Sequence, residues 1–483
     1  MTATPPPRIL AGDDNVATTR WRQYMRGLLK HALTCAGIAG AGLLGSAGNA
    51  WALPNFAAQT GQPCSACHIG AFGPQLTPFG RAFKLSGFTT RGGDGLASKI
   101  PLSGMVLGSF NNTAKDFPAG SVPQHYGPNN NFALDQISLF LAGGIGEHSG
   151  GFVQGTYSDI NNAFHLDQVD LRPYTTTVTL NGAELRLGTT ISNAPTVTDP
   201  FNSTFAWGFP YVASALAPSP AAQPILVSGF VANSIGATGY LWYDRSLYFE
   251  AGGFESVSPY ALARFGTTYG AGRTEGLAPY VRTAYEWNWN NQSAHIGGLF
   301  MQASAFPASG RVADRSNGSD QYTDLGIDGG YQWYGDGTNT WSIYGIYVNE
   351  DQQLKGSTAA SNNANGTTLG SNYSLNQFRL EASYWYQNTY GFTLGWQKSW
   401  GPQNPILYSG NANSKPNSNA FLLEADWVPF GKQGAWGSPW TNLKLGVQYV
   451  AYTQFNGAAK NYDGAGRNAA DNNTLYIFSW LAF

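Results

Sequence analysis

The sequence predicts an all-β protein: a transmembrane antiparallel β-barrel of about 16 strands with a small N-terminal α-helical segment plugging its lumen. Three observations predict it. Alternating apolar and polar residues recur throughout the part of the chain after about residue 100. That part holds no apolar run long enough for a membrane-spanning helix. The chain ends on an unbroken β-type run closed by an aromatic, "NTLYIFSWLAF", with Phe483 last.

Composition agrees. Charged residues are 11% of the 483, against the usual share of about 25%. Aromatics are 14%, with 26 Tyr and 15 Trp, and there are 61 Gly. Mean hydropathy is slightly negative, so the chain is not simply hydrophobic. Few charges, many aromatics and many Gly and Asn point to membrane β-structure or a large secreted β-protein. They argue against a cytosolic enzyme and a nucleic-acid binder.

The first element, residues 1–52, reads as a secretory signal peptide. Arg20, Arg22, Arg26 and Lys30 form a basic start, Ala32 to Gly48 an uncharged core of small and apolar residues, and Ala50-Trp51-Ala52 a cleavage site. Cys35 lies within it. The leader carries Arg8 and those four basic residues against Asp13 and Asp14, so its removal makes the chain more acidic than the −2 of the whole. No basic stripe remains for nucleic acid or an anionic membrane surface.

The second element, residues 53–98, holds the other two of three cysteines, in "TGQPCSACHIG". Cys64-x-x-Cys67-His68 is the attachment sequence of haem c. Two cysteines three apart lie on one helical turn and reach the two vinyl groups as thioethers, and the adjacent histidine offers its imidazole to the iron. A covalently held haem suits a segment too small to trap one by packing. A strained disulfide, a thioredoxin-like pair without its βαβ setting, and a zinc site lacking a second ligand cluster are the weaker readings. One motif means one haem. Its sixth ligand is open: His125, His148, His165, His295, Met105 and Met301 are the other downstream histidines and methionines, with Met105 and His125 nearest in sequence. Phe56, Phe72, Phe79, Phe83 and Phe88 are placed to pack the haem edge.

The third element is the barrel, residues 99–483. In Gln377 to Tyr386, Phe378, Leu380, Ala382, Tyr384 and Tyr386 alternate with Gln377, Arg379, Glu381 and Ser383. Asn442 to Tyr449 and Gly182 to Thr189 alternate likewise, the latter with Glu184 and Arg186 on its polar face. Each predicts a strand with its apolar side outward. The chain turns tightly at Asp244-Arg245, whereas Glu350 to Ser374 and Asn456 to Asn473 are long polar loops. Trp396, Trp400, Trp427 and Trp440 fit interfacial girdles. A barrel this size encloses a channel with room for residues 53–98.

The stretch Leu53 to Phe88, with Pro54, Phe56, Thr60-Gly61, the Cys64/Cys67/His68 motif, Pro74, Leu76, Phe79-Gly80 and Phe83, resembles the outer-membrane monohaem cytochrome c–porin fusions of iron-oxidising bacteria. The specific motif covers that stretch alone; the architecture covers the whole chain. The resemblance implies an iron(II) oxidoreductase of the bacterial outer membrane, with one covalent haem c. Extracellular Fe(II) would be the donor, a periplasmic cytochrome c or blue-copper protein the acceptor, and outer-membrane lipid the surroundings. Two alternatives remain: an electron conduit with another donor or outward direction, and a haem-bearing transport porin.

The link between segment and barrel, Arg91-Gly92-Gly93-Asp94-Gly95, spans at most ~18 Å. The hydrocarbon layer alone is ~30 Å. A haem hanging below the pore would be too far from an extracellular ion for fast transfer. The expectation is a haem within the lumen, lined by polar strand faces such as Arg379/Glu381 and Glu184/Arg186.

Overall fold

The computed structural model describes residues 55–93, 97–118, 120–123, 125–203, 212–230, 233–266, 273–309, 312–432, 434–436 and 440–483. The expected signal peptide of residues 1–52, with Cys35 and its cleavage site, lies outside the described residues. So do Leu53, Pro54, Asp94 and Gly95.

Three short helices open the described chain: α1 Asn55–Thr60, α2 Cys64–Cys67 and α3 Pro78–Leu85. Sixteen strands follow: β1 Leu102–Thr113, β2 Asn131–Gly144, β3 Gly150–Ser158, β4 Ala163–Leu180, β5 Ala183–Ser192, β6 Ser234–Tyr243, β7 Leu247–Ser256, β8 Ala278–Trp289, β9 Gln292–Phe306, β10 Asp320–Trp333, β11 Asn339–Gln353, β12 Asn372–Tyr386, β13 Tyr390–Trp400, β14 Ser418–Trp427, β15 Asn442–Gln454 and β16 Thr474–Ala482. Two-residue ladders in the loops add to them, one of which, Arg273–Thr274, pairs with the end of β9.

Every long strand pairs antiparallel with its sequence neighbours, and β1 also pairs with β16, from Met105 opposite Ala482 to Thr113 opposite Thr474. The sheet is therefore closed and has no free edge. Gly104 and Phe483 finish the seam by exchanging backbone hydrogen bonds of 2.7 and 2.9 Å. An even strand number brings both ends of the barrel to one side.

The alternation read from sequence holds in space. On β12, Gln377, Arg379, Glu381 and Ser383 are buried, while Phe378, Leu380, Ala382 and Tyr384 are more open. On β15, Asn442, Lys444 and Gln448 are buried, and Val447 and Tyr449 are exposed. Outside, Leu139, Leu141, Ile296, Leu325, Ile327 and Leu423 are exposed. A closed barrel with an apolar outer face satisfies all its backbone groups within lipid. It is the architecture of a bacterial outer-membrane barrel. No helix among the described residues is long and apolar enough to cross a membrane.

Connections after the even-numbered strands are mostly short. Between β6 and β7, Asp244 and Arg245 both take left-handed φ, 49° and 52°. That is the two-residue turn whose twist matches a hairpin. Exposed Trp287, Trp289, Trp341, Tyr386, Tyr390 and Trp427 sit at strand ends on this side, as a girdle requires. Trp440 instead lies in the longer connection before β15, and Trp396 lies mid-strand, donating to Asn419 Oδ1. Connections after odd-numbered strands are mostly long. One carries a helix over Lys355–Asn365 inside the stretch expected to be a plain polar loop. Another, described over residues 193–203 and 212–230, turns into the lumen, where Leu226 and Asp199 meet Asp324 and Arg282 of the strands.

Candidate haem site in the barrel lumen

The Cys64–Cys67 helix is a single turn, and His68 leaves it in extended conformation, φ −122° and ψ 138°. The His68 N–H still donates to the Cys64 carbonyl at 2.9 Å. His68 then bridges to Leu76, and Ile69 N–H donates to the Gln75 carbonyl at 3.0 Å. The chain thereby folds back onto α3. Thr77 caps α3 by accepting from Gly80 N at 3.1 Å, and Pro78 fills the first helical position. Thr77 also ties back to the motif, its N–H donating to the Cys67 carbonyl at 2.9 Å and its Oγ1 to the Ala66 carbonyl at 2.6 Å.

Two glycines permit this packing. At Gly80 a Cβ would lie 2.3 Å from the Cys67 carbonyl oxygen, so α3 crosses the motif helix only without a side chain there. Gly70 has φ 67°, and a Cβ there would lie 2.2 Å from the Trp385 ring of β12.

Cys64, Cys67 and His68 all face one cavity of about 260 Å³, whose walls are mostly apolar. Phe56, Phe83 and Phe88 close one side as an aromatic trio with centroids 5.0 to 5.7 Å apart. Phe72 packs edge-on against Trp480 at 4.8 Å. Met105, Phe140 and Phe152 come from the barrel wall, and Val197 and Asp199 from the inward loop. Phe79 departs from expectation. It shares a helix face with Pro78 and Ala82, is exposed, and lines a separate cleft near Trp242 and Trp289.

The plug is fixed by polar bonds to the inner wall. Arg81 pairs with Glu286 at 2.6 Å, both buried, and donates to Ser293 Oγ at 2.9 Å. The Tyr240 hydroxyl donates to the Leu85 carbonyl at 2.7 Å, Arg186 to the Ala82 carbonyl at 2.9 Å, and Asn442 to the Ala71 carbonyl at 2.7 Å. Gln75 donates to Glu381 and accepts from Ser342 Oγ. Of the polar strand residues expected around the haem, Glu381 and Arg186 thus hold the plug. Neither they nor Glu184 and Arg379 line the cavity, whose wall is mostly apolar. Gly92 and Gly93 of the link donate to the Gln59 carbonyl at 3.0 Å, so this part packs on α1.

The remaining candidate ligands separate clearly. His125 is a half-exposed loop residue beside Asp159. His148 Nδ1 lies 2.9 Å from the Thr175 carbonyl, and His295 Nε2 lies 3.1 Å from Asp328. His165 sits on β4, and Met301 is buried in a different core cluster. Of these six, only Met105 lines the cavity.

The donor chemistry of the plug fits a c-type haem. Burial pushes the Cys64 thiol up to about 11. Burial, with the neighbouring Cys64, pushes Cys67 to about 12. Burial lowers His68 to about 4, against a smaller opposing effect of the Gly73 carbonyl. Its Nδ1 is buried with no hydrogen bond closed. The cysteines are not joined in a disulfide. Among the described residues, no group of three or more His, Cys, Asp and Glu side chains gathers as a metal cage would.

Sequence reasoning missed the inward loop. Leu226 N–H donates to Asp324 Oδ2 at 2.7 Å and Ile225 N–H to Glu350 at 2.5 Å, while Asp199 meets Arg282 at 3.2 Å. Lys84 of α3 reaches this loop at the Val197 and Asp199 carbonyls, and lies 3.7 Å from Asp170 of β4. The available signal was the set of acids on the polar faces of β10 and β11.

No protein-family model matches the chain, and no curated protein matches it. Among solved structures it is similar to the outer membrane channel DcaP of Acinetobacter baumannii, at 13% identity and a TM-score of 0.43, over 79% of this chain and 96% of that one. It is also similar to OmpT, an outer membrane protein of Vibrio cholerae, at 10% identity and a TM-score of 0.39, over 79% and 96%. Likenesses this distant carry no argument about function, and the porin-like barrel stands on its own closed strand pairing.

Proposed function

We propose that the protein is an outer-membrane c-type cytochrome that oxidises extracellular Fe(II) and passes single electrons to a periplasmic cytochrome c or blue-copper protein. The observation that carries this reading is the Cys64/Cys67/His68 turn facing an apolar cavity inside a closed barrel. Cys64 and Cys67 would hold the haem as thioethers and His68 would ligate its iron. A haem held there would supply a one-electron centre within the membrane thickness. The aromatic trio and the Phe72–Trp480 pair line the same cavity and would shield a haem held there from water. Each Fe(II) gives up one electron and leaves as Fe(III) on the outer side, so the insoluble product forms away from the periplasm.

The plug and the inward loop meet in the lumen, as the Lys84 contacts record. That filling favours electron passage over a transport porin. The test is reduction of the purified full chain in detergent by Fe(II). Rapid bleaching of the ferric haem spectrum by Fe(II), but not by comparable organic solutes, supports the reading. Indifference to Fe(II) with reduction by a sulfur donor would move the assignment to a conduit with another donor.

A further inference from the structure

A haem iron held by His68 from the plug has a second axial position, and the cavity wall limits what can fill it. Lys84 is engaged with the Val197 and Asp199 carbonyls. Asp199 already accepts from Phe201 N, Ser203 N and Arg282. Asp170 accepts two bonds from Arg172, each 3.1 Å. Asn442 spends its amide on the Ala71 carbonyl. Met105 is the one soft donor among them.

Met105 is only 2% exposed and packs in the cluster that holds Ile69, Ala71 and Phe72 of the plug. It therefore belongs to the barrel by chain and to the plug by contact. Trp480 Nε1–H donates to Met105 Sδ at 3.0 Å. The register explains the pair: Met105 lies opposite Ala482 and Leu107 opposite Trp480, so Met105 and Trp480 are diagonal neighbours on the inward face. Trp480 itself is 9% exposed and lines the same cavity. A buried indole N–H needs an acceptor, and here it is given to a sulfur. A thioether sulfur has two lone pairs, so one remains for a metal.

We propose that Met105 is the sixth ligand of the haem iron, with Trp480 as the positioning residue that orients and tunes its sulfur. This rests on the haem reading above. A thioether ligand raises the reduction potential relative to a second imidazole. Hydrogen bonding to the sulfur draws electron density from it and disfavours the ferric form further, and such bonds are a recognised means of tuning haem potentials. The pair His68 and Met105 also ties plug to barrel through one metal, so haem loading and docking of the plug become coupled.

The test uses the full holoprotein in detergent. Wild type is compared with Met105→Leu, which keeps the packing volume without the sulfur, with Met105→His, with Trp480→Phe, and with Met301→Leu as the control at the other buried methionine. Each is read by haem stain, by heat-modifiable migration for folding, by the optical band of a thioether bound to ferric iron, and by potentiometric titration. Wild type and Met301→Leu should show the thioether band. Met105→Leu should lose it and bind added imidazole. Met105→His should give a bis-imidazole spectrum and the largest fall in potential. Trp480→Phe should keep the band with a smaller fall. A folded, haem-stained Met105→Leu protein whose band and potential match wild type overturns the ligand assignment alone. Wild-type protein that carries no stain overturns the haem reading itself, so the two failures are distinguishable.

Discussion

Two segments reach into the lumen from opposite ends of the barrel. The plug, residues 55–93, comes from the side of the short turns, and the loop, described over residues 193–203 and 212–230, from the side of the long ones. The plug is built from short-range signals: a Cys-x-x-Cys-His turn, a capped helix and glycines where backbones touch. The loop is held by bonds to residues far along the chain, Leu226 to Asp324 and Ile225 to Glu350. Each includes a buried arginine in its anchorage, Arg81 with Glu286 for the plug and Arg282 with Asp199 and Asp328 for the loop. The difference teaches that the plug is set by local sequence, while the loop is set by contacts that exist only once the barrel has closed.

The largest effect should come from the plug's cysteines. Cys64→Ala or Cys67→Ala should weaken or abolish covalent haem on a denaturing gel, while the barrel still shows heat-modifiable migration. A barrel that retains full haem stain after both substitutions would erase the distinction between the segments.

Next comes Gly80→Ala. Its Cβ would meet a backbone carbonyl that cannot swing away, so the cost should exceed the about 1–3 kcal/mol of ordinary overpacking. Haem incorporation should fall sharply, measured as haem per folded barrel, and wild-type loading would show that α3 need not press on the motif.

The two arginines sharpen the comparison directly. Arg81→Met leaves Glu286 buried without its partner, a loss of about 3–5 kcal/mol, and should expose the plug to limited proteolysis. Arg282→Met should expose the loop instead and leave covalent haem in place. Cleavage in the same segment for both variants would mean that plug and loop are one unit.

The smallest effect lies outside both segments. Replacing Asp244-Arg245 by Asn-Gly suits the left-handed backbone of that turn better. Relief of the left-handed backbone, offset by loss of the exposed Arg245–Glu184 contact, should leave a net gain of about 1 kcal/mol at most, seen as a slightly higher melting temperature, with no change in haem.

This contrast also sets what was legible in the sequence. Strand faces such as Arg379/Glu381 against Phe378/Leu380 repeat every two residues, and the membrane forces that pattern because lipid lies on one side only. The Asp244-Arg245 turn and the closing run to Phe483 are equally local. The Cys64/Cys67/His68 turn is legible because its chemistry fixes its spacing. Met105 and Trp480 were not legible together: they are joined by barrel closure across nearly the whole chain, and neither position breaks the alternation of its strand. The inward loop was hidden for the same reason, and the Lys355–Asn365 helix because its polar, asparagine-rich sequence has a weak helical pattern. Phe79 was misplaced because five phenylalanines near one motif do not reveal which helix face each occupies.

A lumenal haem should receive electrons from Fe(II) on the long-loop side. The most direct measurement is haem absorbance of the full chain in sided proteoliposomes, with Fe(II) confined to one face at a time. Prompt reduction is expected when Fe(II) is on the long-loop face. Reduction only from the short-turn face, or from neither, would contradict it.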